Sequence, residues 1–349
     1  MLSLDAVVLL PSYQPEETLI NLSRGLTLEG FKVLIVDDGS GPKYQHIFEG
    51  AKQYATVIGY AKNRGKGDAL KYGFEYCLNN LKDYKYVITA DGDGQHSIND
   101  IHRIYDKVAK EKKSVIGVRR FEVKTPIKSR IGNMMSKFNQ SLATYQYMHD
   151  NQCGLRGFTY EMLPKLINIR GSRYEYEMNV LTFLQTKEIP FLTLKIQTIY
   201  ENNNAGTHFR PIADTLRIQS TLLLAGLISF ILYLLQATST FFVLKYVEFS
   251  IPLGVELAVT MSFLGGLILS LIIKLIVFRP MYPGKLILRN ILYELLCYIA
   301  ILVSATLFTR ILGVHILLTY LICYVLTLLP KYYLIKGIAL VYETNTNEE

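Results

Sequence analysis

The chain has 349 residues, half of them hydrophobic and only 19% charged, and its formal net charge is +8. This composition excludes intrinsic disorder, collagen and coiled-coil rods. The four cysteines lie far apart without CxxC spacing, which excludes a zinc ribbon and a disulfide scaffold and favours a reducing compartment.

The first part of the chain alternates short apolar runs with amphipathic segments. The apolar runs predict strands at 5–10, 31–36, 56–59, 86–90 and 114–118, and the segments between them predict helices at 16–28, 68–81 and 98–112. Because β and α elements alternate, we expect an α/β fold with a mainly parallel sheet that binds ligands at the carboxyl ends of its strands. No basic segment precedes the first strand, so we expect no signal peptide.

The last third of the chain is apolar. Residues 219–342 contain eight Lys or Arg and three Glu, and residues 218–244 contain no charge. Since about 20 apolar residues cross a hydrocarbon core, this part predicts an all-α four-helix transmembrane domain at 218–342, followed by a tail at 343–349. The predicted spans are 218–244, 257–273, 291–309 and 311–330. Buried core helices are the alternative interpretation.

Basic residues indicate how the predicted spans are oriented. Arg279, Lys285 and Arg289 lie between the second and third spans, and Lys331 and Lys336 follow the fourth. By the positive-inside rule, we expect a multi-pass protein of the cell membrane. Its first domain, 1–217, and both of its termini are then cytoplasmic.

Carboxylates follow two of the predicted strands. Asp38 comes after the second strand, and Asp91 and Asp93 come after the fourth, with Gln95 two positions further on. Three carboxylates at one edge of a sheet repel one another unless a cation lies among them, and such hard oxygen ligands suit Mg²⁺ or Mn²⁺. We therefore expect a metal at Asp91, Asp93 and Gln95 that bridges the diphosphate of a sugar nucleotide. His96 is expected to support these ligands rather than bind the metal.

Five motifs follow one another in this part of the chain. They are Pro11-Ser-Tyr13, Val36-Asp-Asp-Gly-Ser40, Asn63-Arg-Gly-Lys-Gly67, Asp91-Gly-Asp-Gly-Gln-His96 and Asp150-Asn-Gln-Cys-Gly-Leu-Arg156. Their order resembles family 2 glycosyltransferases of the GT-A fold, in particular the polyprenyl-phosphate branch that includes dolichyl-phosphate mannose synthase. The resemblance covers about residues 4–218. The apolar third is similar to a GtrA-like membrane domain, and fusions of the two are familiar in bacteria.

The resemblance implies roles in donor and acceptor binding. The donor residues are Pro11 and Tyr13 at the base, Asp38 at the base or ribose, and Asp91 and Asp93 at the metal and diphosphate, with Gln95 as a further ligand. Arg119 and Arg130 match cations that grip the acceptor phosphate. The acid that usually follows the family's Pro-x-Tyr-Asn motif is replaced here by Pro15, so Glu16 is left outside the nucleotide site.

A basic segment follows the last predicted strand. Six cations and one acid lie between Arg119 and Lys137, and apolar residues recur there at three- and four-residue spacing. This pattern predicts an amphipathic helix in the membrane interface at about 125–145, and a second interfacial segment is expected at about 208–218. The alternative is a helix packed on the domain with a solvated basic face. Nucleic acid is not an expected partner, because no recognition motif or array of stacking aromatics accompanies the cations.

These features predict an inverting, metal-dependent glycosyltransferase. It would move a sugar from a nucleotide diphosphate donor, such as UDP-glucose, to polyprenyl (undecaprenyl) phosphate, making a lipid-linked monosaccharide for cell-envelope glycosylation. A phosphate oxyanion is already nucleophilic, so it needs positioning more than a general base. The catalytic candidates are Asp93 and Asp150, although Asp150 is as readily a cap or turn acid. Lys66 either reaches a phosphate or belongs to a surface loop, and Glu175 and Glu177 either face the donor sugar or pair with nearby arginines.

Several other function classes remain to be weighed. The main alternative is a lipid-linked sugar flippase or scaffold whose cytosolic domain is non-catalytic, and the intact acids argue against it. A processive polysaccharide synthase would need a Gln-x-x-Arg-Trp motif, and the chain has no tryptophan. Transfer to a protein hydroxyl would need a stronger base near the anomeric carbon. The sugar, the nucleotide and the lipid length stay open, and related proteins often form tetramers, so a homo-oligomer is a further expected partner.

Overall fold

The computed structural model describes residues 3–119 and 134–197, apart from 135, 139, 142–145 and 188, together with scattered positions between 260 and 307. Within these ranges, no helix has the length and apolar character needed to span a membrane. The described residues belong to two compact units. Residues 3–119, 149–184 and 189–197 form the body of the first.

The first unit is built on a seven-stranded sheet with the order β3-β2-β1-β4-β6-β5-β7. The strands are β1 (Ala6–Ser12), β2 (Lys32–Asp37), β3 (Thr56–Gly59), β4 (Tyr86–Thr89), β5 (Ser114–Arg119), β6 (Arg156–Thr159) and β7 (Phe191–Ile196). The helices are α1 (Thr18–Leu28), α2 (Gln45–Ala51), α3 (Lys66–Asn80), α4 (Ile98–Glu111), α5 (Leu163–Ile167) and α6 (Glu175–Thr186). Short 3₁₀ helices cover Pro42–Tyr44 and Tyr160–Met162.

The central strands are apolar along their whole length because helices cover both faces of the sheet. In β1, every residue from Ala6 to Leu10 is fully buried, and β4 is buried throughout. A strand with one solvated face would alternate polar and apolar residues, whereas burial on both faces favours a continuous apolar run. The side chains of β1, β2 and β4 meet those of α1, α2 and α4 in one core. The predicted strands and helices of residues 5–118 are confirmed, with bounds shifted by a few residues.

The sheet is mixed rather than wholly parallel. Six strands run in one direction, and β6 runs antiparallel to both of its neighbours, β4 and β5. The expectation of a mainly parallel sheet is therefore confirmed, with one antiparallel strand inserted. Because β6 runs antiparallel to β4, its first residue, Arg156, pairs with Thr89 at the end of β4. The segment 150–155 that leads into β6 therefore lies at the carboxyl end of β4.

The sheet opens between β1 and β4 at the carboxyl ends of these strands. The pairing of β1 with β2 continues to Ser12 and Asp37, whereas its pairing with β4 ends at Leu9 and Thr89. Pro11, which has no N–H to donate, lies in the part of β1 that β4 no longer accompanies. Strand order also reverses at β1, and in open α/β sheets such a point forms a crevice that binds ligands.

Several predictions fall on residues outside those that the structure describes. They are Arg130, the interfacial segment at about 208–218, the tail 343–349 and most of the four predicted spans. Of the interfacial helix predicted at about 125–145, the described positions 134, 136–138, 140 and 141 are helical. The spans, the membrane domain and its similarity to GtrA therefore stay predictions.

Candidate active site

The loop after β4 carries three of the predicted site residues to the mouth of the crevice. Asp91 follows the buried strand directly, and the turn at Asp93 is closed by the N–H of Gln95, which donates to Asp93 Oδ1 at 3.1 Å. Gly94 lies at φ +78°, a backbone conformation that a residue with a side chain rarely adopts. Ser97 then caps α4 by accepting the N–H of Asp100 at 3.0 Å, so the loop is held at both ends.

A buried lysine lies between two carboxylates at this site. Lys66 Nζ is 2.6 Å from Asp91 Oδ1 and 3.0 Å from Glu177 Oε1. Lys66 is the first residue of α3 and Glu177 belongs to the first turn of α6, so three separate elements contribute one charge each. The second oxygen of Asp91 contacts His96 Nε2 at 3.3 Å. His96 therefore lies beside a proposed metal ligand, and its supporting role stays a prediction.

The electrostatics of the three groups reinforce one another. Burial by itself raises the pKa of Asp91, but Lys66 and then His96 outweigh it and hold that pKa well below 3.8. Burial likewise opposes the charge on Lys66, yet Asp91 and Glu177 raise its pKa above 10.5. Lys66 is therefore a cation and Asp91 an anion at any physiological pH.

Asp38 organises the loop that presents Lys66. It is 3% exposed, and its carboxylate accepts hydrogen bonds from Tyr60, Asn63, and the backbone N–H groups of Arg64 and Gly65, all between 2.7 and 3.1 Å. These bonds hold residues 60–65 against the end of β2. Both carboxylate oxygens of Asp38 thus already accept hydrogen bonds from the protein. The predicted contact of Asp38 with the base or ribose stays a prediction.

Arg119 and Asp150 are brought together as a pair. Arg119 Nε and Nη2 lie 2.6 and 3.1 Å from the two Asp150 oxygens, and the N–H groups of Arg119 and Gln152 also donate to Asp150. Asp150 is 2% exposed, whereas a quarter of the Arg119 side chain, 23%, reaches solvent. Burial would raise the pKa of Asp150, but Arg119 and the hydrogen bonds hold it below 3.8. An acid in this setting is a poor proton acceptor.

This pair makes stability fall at acid pH. Because the pKa of Asp150 is depressed in the folded state, its contribution is complete above the unfolded value of about 3.9 and is lost as the pH falls through the lower folded pKa. We expect the urea midpoint to decrease from about pH 4 downward, and to decrease less in Asp150→Asn. Urea unfolding followed by circular dichroism at a series of pH values measures both. An equally steep decrease in Asp150→Asn would show that other acids dominate.

The segment 150–156 packs against Lys66 and Asp91 through its backbone at Gly154. A methyl group added at Gly154 would lie 2.8 Å from Asp91 Oδ2 and 2.9 Å from Lys66 Nζ, so a side chain there would displace the ion pair. Arg156, 2% exposed, donates to the carbonyl oxygens of Cys153 and Glu177 at 2.9 and 2.7 Å. Arg156 thereby connects the segment 150–156 to helix α6. Sequence reasoning assigned no role to Arg156, although a charged residue inside a short strand was a signal for one.

The remaining predicted residues lie near the crevice or outside the described part of the chain. Pro11 belongs to the free end of β1, and Tyr13 follows that strand, where its hydroxyl accepts a hydrogen bond from Gln14 Nε2 at 3.2 Å. Gln95 lies in the loop after Asp93. Glu175 does not pair with an arginine side chain here: its Oε1 accepts the backbone N–H groups of Ser172 and Arg173 and caps the start of α6.

The residues at the mouth of the crevice fit a divalent cation. The acids of this region are Asp91, Asp93, Asp150 and Glu177, and the cations paired with them are Lys66 and Arg119. In the described part of the chain, no three His, Cys, Asp or Glu side chains are placed to hold a metal by themselves. Proteins usually bind Mg²⁺ through one or two carboxylates, and substrate phosphates and water complete its coordination. Asp91 and Asp93 match that arrangement.

Comparisons with known proteins show what this chain is similar to. Residues 8–167 match the family described as glycosyl transferase family 2. An uncharacterized protein of Methanocaldococcus jannaschii is 32% identical over 200 residues, which span 55% of this chain and 81% of that protein. A UDP-N-acetylglucosamine–dolichyl-phosphate N-acetylglucosaminyltransferase of Methanococcus voltae is 27% identical, over 55% of this chain and 85% of that enzyme.

Solved structures show a more distant likeness. Glucosyl-3-phosphoglycerate synthase from Mycobacterium tuberculosis, in complex with Mn²⁺, uridine diphosphate and phosphoglyceric acid, superposes with a TM-score of 0.47 at 14% identity. The superposition covers 64% of this chain and 77% of that one. The matched family region contains Asp38, Lys66, Asp91, Asp93 and Asp150, so the sequence match and the crevice describe the same part of the molecule. The chain therefore belongs to glycosyl transferase family 2, with the family's domain at residues 8–167.

Proposed function

We propose that the chain transfers a sugar from a nucleotide diphosphate to a polyprenyl phosphate, with inversion at the anomeric carbon. The observation that carries this proposal is the cluster at the split between β1 and β4, where Asp91 pairs with Lys66 and interacts electrostatically with both Asp93 and Arg119. Such a cluster suits a diphosphate leaving group on one side and a phosphate nucleophile on the other. The name of the Methanococcus voltae relative supports a dolichyl-type acceptor.

In the proposed reaction, an oxygen of the acceptor phosphate forms the new bond to the anomeric carbon as the bond to the nucleotide diphosphate breaks. Asp91 and Asp93, with Gln95 as a further ligand, would hold Mg²⁺ or Mn²⁺, which neutralises charge that develops on the leaving diphosphate. Lys66 binds the diphosphate next to Asp91. No proton has to be removed from the phosphate oxyanion, so the site needs no general base.

Asp150 acts in this proposal by positioning Arg119. Its oxygens are occupied by the guanidinium and two N–H groups, and its depressed pKa opposes protonation. The pair places a partly exposed guanidinium at the carboxyl end of β5, where it binds the acceptor phosphate. The sequence analysis left Asp150 open between a catalytic acid and a cap or turn acid, and this positioning role differs from both.

A membrane location is part of the proposal. Among the described positions beyond 260, large apolar side chains are exposed on helical residues spaced three or four apart, for example Leu264, Ile268 and Ile272 at 51%, 59% and 48%. A soluble surface rarely carries a continuous apolar stripe. This exposure supports a face that contacts lipid tails, in a multi-pass protein whose family 2 domain is cytoplasmic.

The decisive experiment identifies donor and acceptor together. Membranes containing the full-length chain are incubated with a panel of radiolabelled nucleotide sugars and undecaprenyl or dolichyl phosphate, and the lipid extract is analysed. A labelled lipid formed only with an active chain supports the proposal. Label found in protein, in oligosaccharide or nowhere in the panel contradicts it, and lipid redistribution without transfer would favour the flippase alternative.

Arg130, outside the described residues, offers a test of the acceptor side. We expect Arg130→Ala to raise KM for polyprenyl phosphate by about tenfold or more, because a hydrogen bond to a charged group is lost, while KM for the donor stays unchanged. Arg24→Ala, which removes an exposed arginine from α1, is the control. Equal increases in both KM values would contradict a role at the acceptor phosphate.

A further inference from the structure

Lys66 occupies one of the two carboxylate oxygens of Asp91, the residue proposed above as a metal ligand. Its ammonium group lies 2.6 Å from Asp91 Oδ1, and the three side chains of the cluster are 17%, 31% and 9% exposed for Lys66, Asp91 and Glu177. The backbone at Gly154 closes the other side of the pair, as shown by the 2.9 Å that would separate a methyl group there from Lys66 Nζ. The ammonium therefore cannot stay in place unchanged while a divalent cation binds the same oxygen at ligand distance.

Two cations on one carboxylate repel each other strongly where water is largely excluded. The repulsion acts across a single carboxylate group, and solvent screens it only in part at a site of this burial. Glu177 gives the ammonium a second place to stay, since it already accepts Lys66 at 3.0 Å. Helix α6 thus holds the lysine close to the site when Asp91 is taken by another cation.

We propose that Lys66 is an internal counter-ion that competes with the divalent cation for Asp91 and, once displaced, is kept by Glu177 within reach of the nucleotide diphosphate. This inference rests on the proposed function, because it takes Asp91 as a metal ligand. It makes binding of metal and nucleotide mutually dependent: the metal frees the lysine for the diphosphate, and the diphosphate draws the lysine away from the metal's ligand. Such coupling is reciprocal by thermodynamic necessity.

The test measures Mn²⁺ binding to the purified full-length chain by electron paramagnetic resonance, first without nucleotide and then with uridine diphosphate. Lys66→Met is expected to bind Mn²⁺ about tenfold more tightly than the wild type without nucleotide, because the competing charge is gone. It is also expected to lose most of the tightening that uridine diphosphate produces in the wild type. Lys71→Met is the matched control, since Lys71 lies on the same helix and pairs with Asp68 at 3.1 Å.

Two further variants keep the proposal testable if Lys66→Met does not fold. Lys66→Arg keeps the charge and should bind Mn²⁺ as the wild type does. Glu177→Gln removes the second carboxylate, leaves Lys66 on Asp91 and should weaken Mn²⁺ binding about tenfold. Unchanged or weaker Mn²⁺ binding in folded Lys66→Met would overturn the counter-ion proposal alone, whereas a wild type that binds no Mn²⁺ even with uridine diphosphate would overturn the metal role in the proposed function as well.

Discussion

Replacing Asp91 with asparagine is expected to lower kcat/KM for sugar transfer by about 10³-fold, because a divalent cation at a leaving diphosphate supplies several kcal/mol of stabilisation. Asparagine keeps the size of the side chain but removes the charge that Lys66 and the metal share. The fold should survive the change, since Glu177 still pairs with Lys66 and β4 itself is untouched. The measurement is kcat/KM with the donor and acceptor identified by the labelling experiment.

The control for this prediction is Asp83→Asn, which neutralises an exposed acid away from the crevice. It should leave kcat/KM unchanged. Asp93→Asn is expected to behave like Asp91→Asn, with the free energy of unfolding less affected because Asp93 is exposed. If Asp91→Asn retained activity within about tenfold of the wild type, the loss would correspond to about 1.4 kcal/mol or less, too little for a metal ligand.

Arg119→Met is expected to lower the free energy of unfolding by about 3–5 kcal/mol, because it leaves the carboxylate of Asp150 buried without its partner. Methionine fills most of the space of the arginine stem, so the loss arises chiefly from charge. The two backbone N–H groups that remain at Asp150 compensate only in part. Urea and thermal unfolding, followed by circular dichroism, measure the change.

A double variant separates the cost of a stranded charge from the cost of lost packing. In Arg119→Met/Asp150→Asn, the buried charge is gone, and most of the lost stability should return. Lys52→Met, which breaks the exposed pair of Lys52 with Glu49, should leave the midpoint unchanged. If the double variant were no more stable than Arg119→Met, packing rather than charge would explain the loss. Activity should stay low in both Arg119 variants, because the proposed acceptor cation is missing.

The local sequence was sufficient for the elements that surround the crevice. The apolar runs at β1, β2 and β4 are continuous because both faces are buried, and the acids after β2 and β4 mark where those strands end. The helix α4 was predictable for a similar reason, since its buried residues recur at three- and four-residue spacing and Ser97 caps it. Short-range patterns of this kind follow from backbone geometry and need no knowledge of distant partners.

The elements that the sequence did not reveal depend on distant contacts. The strand β6 is only Arg-Gly-Phe-Thr, and it is a strand because β4 and β5 pair with it on both sides. Neither its arginine nor its glycine favours a strand. The mixed sheet is the consequence of that insertion, since parallel neighbours on both sides were the simpler expectation for alternating β and α elements.

The amino-acid sequence by itself determined the α/β class, the carboxylates at the strand ends and the family, because each is written in short motifs. The tertiary structure decided which charges meet. Lys66 pairs with Asp91 and Glu177, and Arg119 pairs with Asp150. These partners are far apart in the sequence, so no local pattern predicts the pairs. Burial then sets their charge states, since charges withdrawn from water persist only when paired.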